Sequence, residues 1–310
     1  MRTYRGQLLV LASAFFFGAS GVVGKLLLNS GITAFYLAQI RCAGAALILV
    51  TFVLSTHPQS LKLKRKEIPI LFLYGCVGFA VVQAAYYFTI ARMPVSIAIT
   101  LEFTAALWIT LYLRFIRREK VSKVMWVAIL VALFGLVLLT QIWQGLSLSA
   151  TGLLGGFVAA ISCAGYYILG AKLVGTRTGS SLTGYGFIFA TLFWAIVQPV
   201  WNFPFSILTQ SIPLQGINNH VSLPGWSLIL YIIIMGTILP YLLVIVAMKS
   251  VSATQASVIA MSEPVFSGII AWSVLSEHLV ITQLFGGVIV LLGIYLAERA
   301  KAPEVIEING

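Results

Sequence analysis

Apolar residues in this chain run on continuously instead of alternating with polar ones. Ten such runs, roughly 7–28, 35–55, 68–91, 95–115, 124–141, 151–173, 182–201, 225–248, 253–275 and 281–298, are bounded by charge or by turn residues. About 20 apolar residues cross the hydrocarbon of a bilayer as one helix. Lipid enforces the helix, because each backbone N–H and C=O must find its partner within the segment. Strands of a membrane barrel would switch between polar and apolar at every second residue, and these runs do not. The pattern therefore predicts an all-α membrane protein of ten transmembrane helices. The first run follows Arg2 and Arg5 and is about 22 residues long. That exceeds the roughly 7–15 residues of a signal-peptide core, so it is counted as a span.

Composition excludes a soluble domain: 60% of the 310 residues are hydrophobic, 9% are charged, and the mean hydropathy is +1.02. The net charge of +11 would suit nucleic acid in a soluble protein, but the basic residues sit in short loops between apolar runs. With an internal N-terminus, 16 of the 19 Lys and Arg fall on one side, Arg92 alone falls on the other, and Lys25 and Arg41 lie within spans. That asymmetry predicts a multi-pass protein of the cell (inner or plasma) membrane with both termini cytoplasmic, the bilayer as its partner and no nucleic acid. The longest external connection, 202–224, carries no charge except through His220, and Trp201, Phe203 and Phe205 place it at the interface. Cys42, Cys76 and Cys163 all lie inside apolar runs and read as small packing residues, not as a disulfide framework.

The chain also repeats itself. The stretch from Gly6, with Gly24-Lys25 further on, matches the stretch from Gly152, with Gly170-Ala171-Lys172. Ala91–Ser96 matches Ala247–Ser252, and Glu119 precedes Gly135 by the same 16 residues as Glu277 precedes Gly293. Residues 1–145 and 146–300 are thus expected to be two five-span repeats, followed by a cytoplasmic tail, 301–310. Five is odd, so the second repeat must enter from the opposite side, as an inverted copy. Charge agrees: the loop at Glu119 holds Arg117, Arg118 and Lys120, and its counterpart at Glu277 has no arginine.

These paired halves, with Glu263-Pro264-Val265 in span nine, Ser276-Glu277-His278-Leu279 before span ten, and Ala91-Arg92-Met93-Pro94 and Leu101-Glu102-Phe103-Thr104 in the first half, resemble the drug/metabolite transporter superfamily, specifically its EamA-type ten-helix members. Ser276–Leu279 looks like the family's G-E-x-L turn with Ser in place of Gly. The first-half motifs are similar to the branch of threonine/homoserine exporters. The resemblance covers nearly the whole chain. It implies export of small polar metabolites, such as amino acids or related amines, by alternating access to a central cavity.

The chemistry is concentrated in two acids. Glu102 and Glu263 are the only carboxylates inside spans and fall near mid-membrane. There a carboxylate must face a wet cavity, pair with a cation or stay protonated. Both are candidates for substrate binding or proton coupling; the alternative is that they tie helices together by hydrogen bonds. Arg41 snorkels to the interface or grips a carboxylate with its fork, and Lys25 reads as an interfacial residue. Gln83, Tyr86, Tyr87, Trp108, Tyr166, Tyr167 and Gln255 are amide, phenol and indole groups within spans, suited to line a cavity for an amino-acid-sized ligand or simply to pack. Pro264 frees a backbone carbonyl near Ala260, and Pro240 does the same in span eight.

Enzyme signals do not hold up. Gly18-Ala19-Ser20-Gly21 spells an intramembrane serine-protease motif, but His57, His220 and His278 all lie in loops, out of reach as a base. Gly24-Lys25 lacks the Ser/Thr and the preceding strand of a phosphate loop. No Cys, His or acid cluster has metal-ligand spacing, so no catalytic residue, metal or cofactor is expected. The reading is a transporter with a small-molecule substrate, and homodimerisation is left open. An integral membrane enzyme or a structural membrane protein without transport activity is the alternative.

Overall fold

The structure is a computed structural model that describes residues 4–93, 95–144, 149–214, 221–275 and 280–300. The G-E-x-L-like turn at 276–279, with Glu277 and His278, lies outside the described residues, as do Pro94, His220 and the tail 301–310. Among the described residues ten helices are long and apolar enough to cross a membrane: Arg5–Asn29, Ala34–Thr56, Arg65–Ile90, Ser96–Ile116, Lys123–Thr140, Ala150–Leu173, Gly179–Val197, Gly225–Ala247, Ala253–Ser273 and Ile281–Arg299. They are called spans one to ten.

Side-chain oxygens cap the helix starts. Thr33, Ser122, Ser149, Thr178 and Ser252 each accept from a backbone N–H three residues on, covering donors that have no intrahelical partner. Four spans are not regular α-helix. Spans three and eight each contain a π turn, Cys76–Val81 and Ile234–Ile238. Span four breaks at Thr104 between the helices Val95–Phe103 and Ala105–Leu111 and ends in a further π turn, Tyr112–Ile116. Span nine breaks at Met261 and Ser262, between Ala253–Ala260 and Glu263–Leu275. Pro264 accounts for the second break, since it has no N–H to give the Ala260 carbonyl. At the first, the Thr104 hydroxyl donates to the Leu101 carbonyl at 2.6 Å, in competition with the ladder.

Span one packs on spans eight and nine, and span six packs on spans three and four. Span five lies along span ten and span two along span seven. Advancing every span number by five maps this set of neighbours onto itself. Finer contacts recur in the same way. A Cβ on Gly135 would sit 2.5 Å from the Val290 nitrogen, and one on Gly293 would sit 2.6 Å from the Ala132 nitrogen. Gly78, in the π turn of span three, packs on Tyr166 of span six; Gly236, in the π turn of span eight, packs on Ser20 of span one. Spans five and ten run antiparallel, because Ala132 meets Gly293 while Gln141 donates to Thr282 at 2.8 Å.

At the end of the bundle that carries the basic loops, the connection between spans two and three is fastened to span seven. Its short helix Pro58–Leu61 leaves terminal carbonyls without partners. Arg177 donates to the carbonyls of Ser60 and Lys62 at 2.9 and 2.8 Å and to Glu67 Oε2 at 2.8 Å. The Tyr185 hydroxyl donates to the Leu61 carbonyl at 2.6 Å. At the opposite end a single amide does the comparable work: Gln39 Nε2 donates to the Gln198 carbonyl at 2.7 Å.

The 202–224 connection, expected at the interface, has structure of its own. It holds a two-stranded antiparallel pairing of Ser211–Pro213 with Ser222–Pro224. Ile207 and Ile212 are buried in it, and Phe203 packs on Tyr36. Trp201 does remain 78% exposed.

Candidate functional site

A cavity of about 570 Å³ lies between spans one, two, three, four, six, eight and nine. Spans five, seven and ten contribute nothing to its lining. It reaches the end of the bundle formed by the span one–two and three–four connections, where Asn29, Leu37, Ile90 and Ile99 line it. Towards the basic end it stops at a knot of rings. Phe79 lies 4.8 Å from both Phe187 and Tyr241, and Tyr166 lies 5.4 and 5.5 Å from Phe79 and Tyr241. Below the rings Gly170 packs against Ile245 and Met248, and Gly6 packs on Ser250 and Val251.

Of the residues that the sequence singles out, Glu102, Glu263, Arg41, Gln83, Tyr86, Tyr87 and Tyr166 meet in this one cavity, together with Tyr167. Both glutamates flank helix breaks: Glu102 stands two residues before Thr104, and Glu263 follows Ser262 directly. Helix breaks beside ionisable groups are an arrangement that transporters use to build polar sites in mid-membrane. The two carboxylates and the Arg41 guanidinium thus line a single cavity.

Arg41 is positioned by a proline. Pro240 cannot donate to the carbonyl of Gly236, four residues back. Arg41 takes that carbonyl with Nη2 at 3.0 Å and the Thr237 hydroxyl with Nε at 3.0 Å. A guanidinium has five N–H donors, so the fork is anchored while keeping donors for a ligand. Gln83 contributes an orphan: its Nε2 reaches Cys42 Sγ at 3.9 Å, and its buried Oε1 has no hydrogen-bond partner.

Trp108 and Gln255 lie elsewhere. Trp108 packs edge-on against Phe157 on the outer side of span six, 6.4 Å between ring centres. Gln255 closes the capping box with Ser252 and donates to the Ala297 carbonyl at 3.4 Å. Lys25 lines the cavity, although its place near a span end reads as interfacial. Cys163, read from the sequence as a packing residue, lines it too, as do Ser267, one turn from Glu263, and Tyr241, which was not singled out from the sequence. The one sequence signal for Tyr241 is its place directly after Pro240, the proline inside span eight.

Comparison with known proteins settles the class. Residues 4–141 and again residues 150–298 match the EamA-like transporter family. The chain belongs to that family. Among relatives, it is 26% identical over 302 residues to the uncharacterized inner membrane transporter YicL of Salmonella typhimurium, covering 95% of each chain. It is 28% identical over 259 residues to the threonine/homoserine exporter RhtA of Escherichia coli K12, covering 82% of this chain and 76% of that one. One crystal structure superposes with a TM-score of 0.74 at 14% identity, covering 94% of this chain and 96% of the other, a likeness of fold. As an EamA-family protein this is a multi-pass transporter of the cell membrane, not an enzyme.

Proposed function

We propose that this protein exports amino acids or related amines by alternating access to the central cavity. One observation carries the proposal: two carboxylates at helix breaks and an anchored guanidinium converge on a cavity whose volume suits a small metabolite. A zwitterion presents a carboxylate and an ammonium, which those groups complement. The ring-rich walls leave room for an apolar side chain. A purely structural membrane protein would have close packing around both glutamates, and both border the cavity instead.

The remaining architecture follows from the same reading. Residues 1–145 and 146–300 form two inverted repeats, a view supported by the exchanged glycine contacts of Gly135 with Val290 and Gly293 with Ala132. Both termini and the basic loops are cytoplasmic, on the loop asymmetry of lysine and arginine. In that frame the cavity faces outward and the Tyr166–Phe79–Tyr241 rings close the inner half. Carriage to the cytoplasmic side requires those rings to part. Glu102 and Glu263, one from each repeat, then trade substrate ammonium for protons.

The test is efflux and counterflow in proteoliposomes across a panel of amino acids and amines, wild type against Glu102→Gln and Glu263→Gln. A cysteine at Lys64 or Lys120 should be labelled only from the cytoplasm and one at Ser206 only from outside. No transport of any amino acid or amine by wild type would overturn the substrate assignment, and Ser206 labelling from inside would overturn the topology.

A further inference from the structure

Outside the cavity, the basic end of the bundle has a pocket of its own, about 210 Å³, between the start of span three, the end of span six and the connection from span six to span seven. Lys66, Lys172 and Arg177 line it with Glu67, and Ile70, Leu71 and Leu173 form its apolar wall. Three cations thus face one carboxylate. That carboxylate is already committed to Arg177 at 2.8 Å and to the Lys64 N–H at 3.0 Å. Lys66 and Lys172 are exposed, and among the described residues neither has an ion-pair or hydrogen-bond partner. Arg177 is the unusual member. Its side chain is only 7% exposed. It grips two carbonyls, a hydroxyl and Glu67, yet its buried Nε has no partner. A buried guanidinium beside two unpaired ammonium groups gives the pocket more positive charge than its one carboxylate balances.

We propose that this pocket binds the headgroup of an anionic phospholipid, with the phosphate among Lys66, Lys172 and Arg177. The charge selects an anion, and the surroundings select a lipid over a soluble phosphate. The pocket lies where spans three and six leave the apolar zone, at the depth of a headgroup. Its wall is apolar, and Ile68, Phe72 and Leu73 stand exposed on span three beside it. An acyl chain can follow that surface while the phosphate stays at the cations. Basic pockets between helices at the cytoplasmic surface suit such headgroups. The site sits on the fastening between span seven and the span two–three connection, so its occupant would bear on how firmly that end is closed. This inference depends on neither the substrate nor the direction of transport.

The experiment uses the full chain purified in a neutral detergent, titrated with dihexanoylphosphatidylglycerol, dihexanoylphosphatidylcholine or glycerol 3-phosphate. The readouts are the thermal midpoint and the change in tryptophan fluorescence. Phosphatidylglycerol should raise the midpoint saturably, and the other two should leave it unmoved. In Lys66→Gln/Lys172→Gln the apparent affinity should fall about thirty-fold, about five-fold per lysine near a lipid surface. Lys120→Gln/Lys123→Gln removes the same charge from another exposed basic loop and should respond like wild type. Both pairs are exposed lysines, so folding is not at stake. An equal response to phosphatidylcholine, or to glycerol 3-phosphate, would overturn the lipid site. So would an undiminished response in the Lys66/Lys172 variant, or an equal loss in the Lys120/Lys123 variant.

Discussion

Spans five and ten are unbroken helices locked together by glycines, whereas spans four and nine are each interrupted beside a glutamate. The two pairs hold matching positions in their halves and use small residues for opposite ends. Along spans five and ten, Gly135, Gly286 and Gly293 let backbone press on backbone: a Cβ on Gly135 would meet the Val290 nitrogen at 2.5 Å. Such contacts leave no slack, so this pair acts as a fixed seam. Facing span nine, Gly18 also packs closely, with the Ser267 nitrogen 2.9 Å from its absent Cβ, but one turn on the packing opens. Gly21, facing span nine, has nothing nearer its absent Cβ than Ser267 Oγ at 3.8 Å. Glycine along the seam makes close packing throughout, whereas on the cavity wall Gly21 leaves room for a ligand.

Substitution should separate the two regions most sharply. Gly135→Leu drives a side chain into the backbone of span ten, which cannot swing aside as a flexible side chain can. It should cost about 3 kcal/mol or more and remove most folded protein, read as a thermal midpoint in detergent. Gly21→Ala, on the cavity wall, should stay within about 0.5 kcal/mol of wild type. Equal destabilisation by both would mean that the cavity wall is as tightly packed as the seam, and the contrast would fail.

The carboxylates give the next largest effect, now on transport and not on stability. Glu102→Gln and Glu263→Gln keep size and hydrogen bonding but lose the charge. Each removes a charged contact to the substrate ammonium worth about 1.5–3 kcal/mol, so uptake affinity should fall about ten- to a hundred-fold. Concentrative transport should also lose its pH dependence. Folding should hold or improve, since a charge has been taken out of the membrane interior. Wild-type rates with wild-type pH dependence in both variants would exclude them as coupling groups.

What the sequence discloses follows the same division. Span number came through because continuous hydrophobicity needs no tertiary information, and the glutamates stood out because an acid in mid-membrane has no inexpensive explanation. Breaks in spans four and nine were only half legible. Pro264 marks one, but Thr104 breaks its helix through a local hydroxyl bond that many membrane threonines make without breaking anything. The pairing within 202–224 was hidden because its strands are three residues long, too short for any periodicity. Gln255 looked like a cavity residue from its amide alone, while the Ser252 three residues before it was the better guide to its capping role.

A smaller effect tests how Arg41 is held. Its grip on Gly236 exists because Pro240 leaves that carbonyl free. Pro240→Ala restores an N–H that competes for the same oxygen, loosening the guanidinium without touching it. KM for transport should rise about two- to five-fold with little change in stability, a loss of about 0.5–1 kcal/mol as for one ordinary hydrogen bond. Arg41→Lys, which cannot hold Gly236 and Thr237 with one planar fork, should raise KM further. If Pro240→Ala leaves KM unchanged while Arg41→Lys raises it, the arginine binds substrate but does not need the proline to position it.

The smallest expected effect lies at Gln255, which marks where the ligand-facing part of span nine ends. The residue sits one turn into the span and eight residues before Glu263, at the basic end of the bundle. Its Oε1 accepts from the Ser252 N–H at 3.3 Å while the Ser252 hydroxyl accepts from the Gln255 N–H at 3.2 Å, and its Nε2 reaches the Ala297 carbonyl of span ten. Those bonds hold both ends of the amide in place, and the residue is not among those that line the cavity. Gln255→Ala removes one half of the capping box and the tie to span ten. The cost should be about 1 kcal/mol, typical of a lost cap, seen as a lower thermal midpoint. KM and maximal rate should match wild type once corrected for the amount of folded protein. A changed KM at unchanged stability would instead put Gln255 on the substrate path, and the fixed part of the molecule would then begin closer to the basic face than the seam alone implies.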